Sequence, residues 1–298
     1  SICSTPNAFS NSGKTIPPTI KKGVLDLSHL DLEKCESIPL NGEWEIIANS
    51  LADLEDFTSF SGTRQYIQLP GKWMHQHVKG SPLPGDGTHS LRLTILLQKQ
   101  YQTLAIKLPV VNTAYKLYLN SEPIASNGVV SLSKDLVVPN TLPKTVHFHP
   151  QGSKLEIILQ ISNYHASSGG VRLPLLFGIY ESIIADDIHT NRMEFFFFGS
   201  ILIIGFYYLS TFLFRRKEHS FLYFAVFCFI IAFRTTVTGE RFLGASFVFF
   251  SWTLLTKLEQ LTFYIVVPVF SRFVQSVYPY DYSKRFCYFL MVNAAVAS

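Results

Sequence analysis

The chain has 298 residues, of which 48% are hydrophobic and only 15% charged, and its formal net charge is +4. Soluble globular domains carry about 25% charged residues, so this composition argues against a wholly soluble protein. The sequence also lacks a Lys/Arg-rich tract with interleaved aromatic residues, which argues against nucleic acid as a partner.

The composition divides the chain into two unlike parts. Most of the 26 Phe residues lie at or after Phe195, whereas most of the 15 Pro residues precede it. Residues 191–298 carry 10 Lys+Arg against 5 Asp+Glu, so the excess of positive charge belongs to the apolar part. We therefore expect a leader at 1–37, a β-sandwich at 38–185 and a membrane domain at 186–298.

The segment 38–185 has the pattern of an all-β domain. In HSLRLTILL, residues 89–97, aliphatic residues alternate with Arg92 and Thr94, which is the period of a half-buried strand. Similar stretches follow at intervals of about ten residues, separated by Pro, Gly, Asn and Ser. These stretches are TLAIKL, AYKLYLN, TVHFH and KLEIILQIS. The spacing predicts an antiparallel sandwich rather than a parallel sheet.

We expect different roles for the two tryptophans in the segment 38–185. Trp44 lies two positions after Gly42, and core packing is the expected role for so large a ring. Trp73 begins the Pro/Gly-rich stretch WMHQHVKGSPLPGDG. In such a loop an aromatic ring either packs into the core or stacks on the face of a sugar, and the sequence leaves both readings open.

Two histidine pairs raise the question of a metal. His75 and His77 flank one residue, as do His147 and His149, and this spacing places two rings on one face of a strand. A metal site needs a third and fourth ligand, which the sequence does not identify. The simpler reading is a solvated strand face, so we predict no metal and no cofactor.

The four cysteines leave two pairing states open, and four common catalytic motifs are absent from the sequence. Cys3 and Cys35 would form a disulfide outside the cytoplasm, or all four cysteines are unpaired, with Cys228 and Cys287 in or beside membrane helices. The sequence contains no G-x-S-x-G, H-E-x-x-H, G-x-x-x-x-G-K-[ST] or C-x-x-C motif. We therefore expect no catalytic activity within residues 1–298.

The second part of the chain has the pattern of membrane-spanning helices. The 20 residues from Phe195 to Phe214 contain no charge, and a helix of that length is about 30 Å long, the thickness of the hydrocarbon layer. Three more apolar runs follow. The predicted spans are 195–214, 221–238, 253–274 and an incomplete 286–298. The last run is too short to cross, so we expect that helix to continue beyond Ser298.

Basic residues in the short loops predict the orientation. Arg215, Arg216 and Lys217 lie between the first two spans, and Lys284 and Arg285 lie after the third. Positive charge in short loops stays on the cytoplasmic side. Both loops agree, and they predict a multi-pass protein whose N-terminal domain is extracytoplasmic. We expect this protein in the cytoplasmic (inner) membrane.

Two charges inside the predicted spans are expected at similar depth. Arg234 lies toward the outer end of the second span and Glu259 toward the outer end of the third. Isolated charges in a bilayer cost on the order of 3 kcal/mol, so such groups usually face one another inside the bundle. An Arg234–Glu259 pair, with Lys257 nearby, would either switch with the sensor domain or fix the helix order; a snorkelling Arg234 is the third reading.

The order of several short motifs resembles a known family. The motifs are LNGEWE at 40–45, LPGKW at 69–73, GDGTHSLRL at 85–93, YKLYLN at 115–120, ISNY at 161–164 and the Gly169–Gly170 pair. They are similar to the galactose-binding-like jelly roll of β-galactosidase-type glycoside hydrolases. Followed by the membrane runs, the chain resembles bacterial seven-transmembrane receptors with diverse intracellular signalling modules. The resemblance implies an all-β jelly-roll sandwich followed by an α-helical transmembrane bundle.

The resemblance also implies a function. An extracytoplasmic jelly-roll sensor would bind a small ligand, with carbohydrate as the candidate class, and seven helices would signal to a cytoplasmic module such as a histidine kinase, nucleotide cyclase or phosphatase. A homodimer is compatible with this role. The alternatives are a membrane-tethered glycan-binding or adhesion module, and a transporter or membrane enzyme, which would cluster polar groups at mid-membrane. The expected ligand-binding residues are Trp73, His75, His77, Asp86, Tyr164 and Arg172.

Overall fold

The computed structural model describes residues 18–239, 241–246 and 251–280. Strands occupy the first part of this range and long helices the second, as the sequence predicts. The described strands are β1 Val24–Leu27, β2 Ile38–Pro39, β3 Gly42–Ala48, β4 Gln65–Leu69, β5 Gly71–Lys72, β6 His77–Val78, β7 Ser81–Pro82, β8 Gly87–Leu97, β9 Leu104–Leu108, β10 Val111–Asn112, β11 Ala114–Leu119, β12 Glu122–Asn127, β13 Lys144–Phe148, β14 Lys154–Asn163, β15 Gly170–Val171 and β16 Leu176–Ile179. The described helices are α1 Leu54–Ser59, α2 Tyr180–Phe214, α3 His219–Val237, α4 Phe242–Ser246 and α5 Trp252–Val277.

Two sheets form the sandwich. The larger has the strand order β12-β11-β14-β8-β3-β4, with β1 added in parallel to β8, and the smaller has the order β13-β9-β16-β2. Apart from the β1 pairing, the pairings within these two sheets are antiparallel. The five strands predicted from alternation correspond to β8, β9, β11, β13 and β14. The expected sandwich is therefore confirmed.

The core lies between the two sheets. The apolar residues of β8 and β14 that alternate inward are buried, and residues of β9 and β16 meet them from the other sheet. Full burial of one such side chain contributes about 1.5–3 kcal/mol. Trp44 is completely buried, and its indole Nε1 donates to the carbonyl oxygen of Leu40 over 3.3 Å. Its expected core role is confirmed.

The outer face of β8 is also covered, which the sequence did not indicate. Helix α1 begins with a capping box between Asp53 and Asp56 and buries Phe57 against this face. Beneath it, Arg92 Nη2 lies 2.7 Å from Glu45 Oε2, with both side chains almost completely buried. The alternation at Arg92 therefore marks a paired buried charge, not a solvated face.

The sandwich begins earlier than expected. Strand β1 pairs with β8, and Leu25, Leu27 and Leu32 lie in the core. The residues 20–37 thus belong to the sandwich, which corrects their assignment to a leader. The short pattern VLDL carries too little information to predict a parallel pairing with residues 70 positions away in the sequence.

Three helices, α2, α3 and α5, are long and apolar enough to cross a membrane. They correspond to the first three predicted spans. Helix α2 has 35 residues, about 52 Å at 1.5 Å per residue, so it extends well beyond a bilayer's hydrocarbon layer. Its first half, up to Glu194, carries the charged residues and leads directly from β16. The predicted fourth span at 286–298 lies outside the described residues.

Candidate ligand-binding loops and the sandwich–membrane junction

The segments that carry the six candidate ligand residues meet at one end of the sandwich. The N–H of Gly169 donates to the carbonyl of Gly85 over 2.7 Å, and the N–H of Trp73 donates to the carbonyl of Gly169 over 3.2 Å. Asn163 Nδ2 also donates to the carbonyl of Gly85, over 2.7 Å. These bonds tie together the segments 71–78, 83–87 and 163–172, which we call the loop cluster. Ligand binding by the six residues on these segments stays a prediction.

Trp73 lies beneath these loops. Its ring is completely buried and meets the ring of His89 edge to face, with centroids 4.3 Å apart. Gly169 and Gly170 lie against it, and an added Cβ at Gly169 would come within 2.3 Å of the indole. The sequence left two roles open for Trp73, core packing and stacking on a sugar. The structure corresponds to core packing, because a ring that is covered on its face cannot stack on a sugar in this conformation.

Three buried polar atoms at this end have no hydrogen-bond partner among the described residues: Trp73 Nε1, His89 Nε2 and the Tyr115 hydroxyl. His89 Nδ1 accepts the N–H of Asn49 over 3.1 Å, so the neutral ring carries its proton on Nε2. Burial lowers the pKa of His89 to about 4 and raises the pKa of Tyr115. His89 is therefore an uncharged structural residue at neutral pH, a role that sequence reasoning missed.

The other five candidate residues are more accessible. His75, His77, Asp86 and Arg172 are exposed, and Tyr164 is half-buried with its hydroxyl donating to the carbonyl of Leu132 over 2.8 Å. They offer carboxylate, guanidinium, imidazole and phenol groups around the loop cluster. Such groups hydrogen-bond to polyhydroxylated or anionic ligands.

Metal binding gains no support within the described part of the chain. No group of three or more His, Cys, Asp or Glu residues there is arranged to hold an ion. The ring of His147 lies 5.3 Å from that of Tyr180, and His149 Nδ1 lies 2.8 Å from the carbonyl of Gln102. Cys35 is half-buried and forms no disulfide with another described cysteine, while Cys3 lies outside the described residues.

A separate groove lies on the side of the sandwich and contains none of the candidate residues. Its volume is about 510 Å³. The lining residues are Thr19, Ile20, Lys21, Lys22, Gly42, Glu43 and Gln68. This groove is open to solvent, and we do not assign it a ligand.

The loop-cluster end of the sandwich faces the membrane helices. The ring of His165, next to Tyr164, lies 5.9 Å from the ring of Trp252, the first residue of α5. The side chain of Leu142 lies against Gly244 in α4, and so does that of Leu255 in α5. A ligand bound at the loop cluster would therefore lie close to the start of α5, at Trp252.

Arg241 connects the sandwich to α5. Its Nη1 donates to the hydroxyl of Thr141 over 2.8 Å, and its Nη2 lies 3.0 Å from Glu259 Oε2. Thr141 is buried, and the Arg241 side chain is 12% exposed. Burial lowers the pKa of Arg241, while the Glu259 carboxylate raises it. A guanidinium keeps its charge even so, because its ordinary pKa lies far above neutrality.

The expected contact between Arg234 and Glu259 forms in a different way. Arg234 Nη1 donates to the backbone carbonyl of Glu259 over 2.7 Å and to the Thr262 hydroxyl over 3.1 Å. The carboxylate of Glu259 is engaged by Arg241 instead. This corrects the predicted side-chain pair. The sequence placed the two residues at similar depth but could not show that the nearer cation comes from the loop that follows α3.

Helix α2 is docked on the smaller sheet by two neighbouring carboxylates. Asp187 lies 2.6 Å from Lys107 Nζ and accepts the hydroxyl of Thr145 over 2.6 Å. Asp186 accepts the hydroxyl of Ser37. The sandwich is thus attached to the membrane helices through α2 as well as through Arg241.

The basic residues of the first hairpin are exposed. Arg215, Arg216 and Lys217 lie in the turn between α2 and α3, and Arg215 lies 4.0 Å from Glu218. They lie at the end of α2 opposite the sandwich. Lys284 and Arg285 lie outside the described residues.

These features define a membrane protein in which a β-sandwich is joined to a bundle of apolar helices. Residues 190–298 match the family described as 7TM diverse intracellular signalling, so the sequence resemblance to this receptor family is confirmed. No curated protein matches the chain.

Solved structures resemble the sandwich. A GH2 β-galacturonidase from Eisenbergiella tayi bound to glycerol is 12% identical, with a TM-score of 0.34 over 49% of this chain and 25% of that chain. A Faecalibacterium prausnitzii β-glucuronidase is 14% identical, with a TM-score of 0.36 over 48% of this chain and 31% of that chain. This chain thus spans less than a third of either enzyme, and likeness at this level concerns the fold alone.

Proposed function

We propose that the chain is the sensing and membrane part of a receptor. The sandwich binds a small extracytoplasmic ligand, and the helices pass the resulting rearrangement to a cytoplasmic signalling module of the same protein. The match of residues 190–298 to a family of 7TM diverse intracellular signalling proteins supports a receptor-like signalling role. We place the chain in the inner membrane with the sandwich outside the cytoplasm. The charges of Arg215, Arg216 and Lys217, which favour the cytoplasmic side, support this orientation.

The observation that carries the proposal is the position of Arg241. One guanidinium contacts Thr141 on the sandwich and Glu259 on α5. A movement of the sandwich segment at Thr141 therefore changes the environment of a charge pair in the sandwich-side half of α5. A ligand shifts the helices only if it binds two arrangements of this junction with different affinities.

The ligand class we propose is a carbohydrate or a similarly polar small molecule. His75, His77, Asp86, Tyr164 and Arg172 would supply hydrogen bonds, with Trp73 as the buried support beneath them. Because His165 contacts Trp252, a ligand held by these loops would act close to the start of α5.

Binding can be tested with the chain in lipid nanodiscs and a panel of mono- and oligosaccharides. A ligand that binds only the folded state stabilises it by about 2.7 kcal/mol at one hundred times Kd, so the melting temperature of the sandwich should rise. Asp86→Ala and Arg172→Ala should remove the shift. Lys154→Ala, at an exposed position at the other end of β14, should keep it. If both loop variants keep the full shift, the ligand site lies elsewhere.

Transmission can be tested with an environment-sensitive probe at position 217, after Lys217→Cys in a background without the native cysteines. A ligand found in the panel should change the emission of the probe, and Arg241→Gln should reduce that change while binding persists. Binding without any change at position 217 would instead support a membrane-tethered glycan-binding module. The receptor proposal would then fail.

A further inference from the structure

A loop beside the candidate ligand segments exposes four aliphatic side chains. Val129 and Val138 close it through two backbone hydrogen bonds, of 2.9 and 3.3 Å. The exposed fractions are 49% for Val129, 55% for Leu132, 65% for Leu136 and 55% for Val138. We call residues 129–138 the apolar loop. A cluster of exposed aliphatic residues on a folded domain commonly marks an interaction surface.

The base of the apolar loop is firmly held by the sandwich. The carbonyl of Ser131 accepts the hydroxyls of Thr88, over 2.6 Å, and Ser162, over 3.1 Å. The carbonyl of Leu132 accepts the hydroxyl of Tyr164 over 2.8 Å. The aliphatic side chains are thus presented from an anchored backbone, which lowers the entropy cost of burying them against a partner.

Two contacts place the apolar loop near the point where the helices leave the membrane. Tyr164 bonds to Leu132, and the next residue, His165, lies against Trp252 at the start of α5. At the other end of the loop, Val138 precedes Thr141 by three residues, which span at most about 10 Å. Thr141 bonds to Arg241, in the segment between α3 and α5. Both ends of the loop are therefore close to the sandwich-side ends of the membrane helices.

We propose that the apolar loop inserts Leu132 and Leu136 into the bilayer leaflet nearest the sandwich. The membrane helices bring the bilayer to this end of the domain, and α5 starts there with a tryptophan, a residue enriched at membrane interfaces. Aliphatic side chains that enter this region are removed from water at a gain in free energy. Lys134, exposed between the two leucines, would meet lipid phosphates, and the exposed Asp135 would remain on the aqueous side.

This contact would act as a third attachment of the sandwich, made directly to lipid, besides the attachments to the membrane helices through α2 and Arg241. It would fix the tilt of the domain over the helices, and it does not depend on the identity of the ligand or on signalling. Failure of the receptor proposal would leave it unaffected.

The test uses the full chain in phosphatidylcholine vesicles with and without bromine on the acyl chains, a contact quencher of tryptophan. Leu136→Trp adds a fluorophore at the tip of the loop, and the signal of the unmodified chain, with its three tryptophans, is subtracted. Ser153→Trp is the matched control, because Ser153 is exposed beside the end of β14 that lies about 30 Å from Asn163.

The added emission at position 136 should be blue-shifted and should be lost in brominated lipid, whereas that at position 153 should be lost only with aqueous iodide. Quenching of position 136 by iodide and not by bromine would overturn the proposal, since the loop would then face water. Protection from both quenchers would also overturn it, because protein, either further helices or a second copy, would then cover the loop.

Discussion

The guanidinium of Arg241 lies 3.0 Å from the carboxylate of Glu259, and the same side chain also reaches Thr141 on the sandwich. The arginine of a charge pair in the sandwich-side half of α5 thus contacts the extramembrane domain directly. Arg234, the cation placed inside a predicted span, bonds to the backbone of Glu259 and leaves its carboxylate free for Arg241. This division of roles predicts which charge exchanges the protein tolerates.

Exchanging the charges of Arg241 and Glu259 should be tolerated better than either single change. Arg241→Glu and Glu259→Arg should each lower the melting temperature of the chain in detergent, and the double variant should recover part of the loss. Coupling between contacting charges is about 0.5–3 kcal/mol. The exchange of Arg234 with Glu259 should not recover the melting temperature, because Arg234 donates to the backbone carbonyl of Glu259 and not to its carboxylate. Recovery only in the Arg234 exchange would contradict the geometry.

Neutralising Glu45 should strongly destabilise the sandwich. Glu45→Gln leaves Arg92 buried under α1 without its partner, and breaking a buried pair in this way typically costs about 3–5 kcal/mol. Chemical unfolding of the sandwich, followed by tryptophan emission, measures the loss. Glu55→Gln, at an exposed position in α1, is the control and should change stability little. Equal effects of the two variants would exclude a special role for the buried pair.

Gly169→Ala should destabilise the loop cluster. The added Cβ would overlap the Trp73 ring, whose fully buried position leaves it little room to move, and overpacking of this kind costs about 1–3 kcal/mol. Gly199→Ala is the matched control, since an added Cβ in that part of α2 meets no atom within 4 Å. A melting temperature unchanged by Gly169→Ala would show that Trp73 is less tightly held than the structure indicates.

Acid should destabilise the sandwich partly through His89. Burial lowers its folded-state pKa to about 4, so between its ordinary value of 6.5 and 4 the unfolded state binds a proton that the folded state does not. Stability is therefore lost as the pH falls through this window, by up to about 3 kcal/mol at 1.36 kcal/mol per pKa unit. His89→Gln, whose amide oxygen can accept the Asn49 N–H, should reduce this pH dependence.

The check for His89 is the free energy of unfolding of both proteins at pH 7.0, 5.5 and 4.5. The difference between the wild type and His89→Gln should shrink or reverse as the pH falls. Parallel curves would mean that His89 titrates alike in the folded and unfolded states, and would contradict its buried neutral form.

Local patterns in the sequence determined the two architectures. The alternation in 89–97 indicates a strand, and the absence of charge in 195–214 indicates a membrane helix. Each pattern lies within the segment itself, and the structure has β8 and α2 there. Strand period and helix length are properties of a few to about twenty neighbouring residues. The order of elements, the sandwich and the first three spans could therefore be predicted without coordinates.

Only the tertiary structure decided which distant groups meet. It joined β1 to β8, covered Arg92 with Glu45 and α1, buried Trp73 under Gly169, and gave the carboxylate of Glu259 to Arg241. Each of these contacts links residues that are far apart in the chain or separated by a turn, and no local period encodes the partner. Hydrogen bonds and ion pairs form within about 3 Å, so partner choice depends on a fold that is packed to that precision.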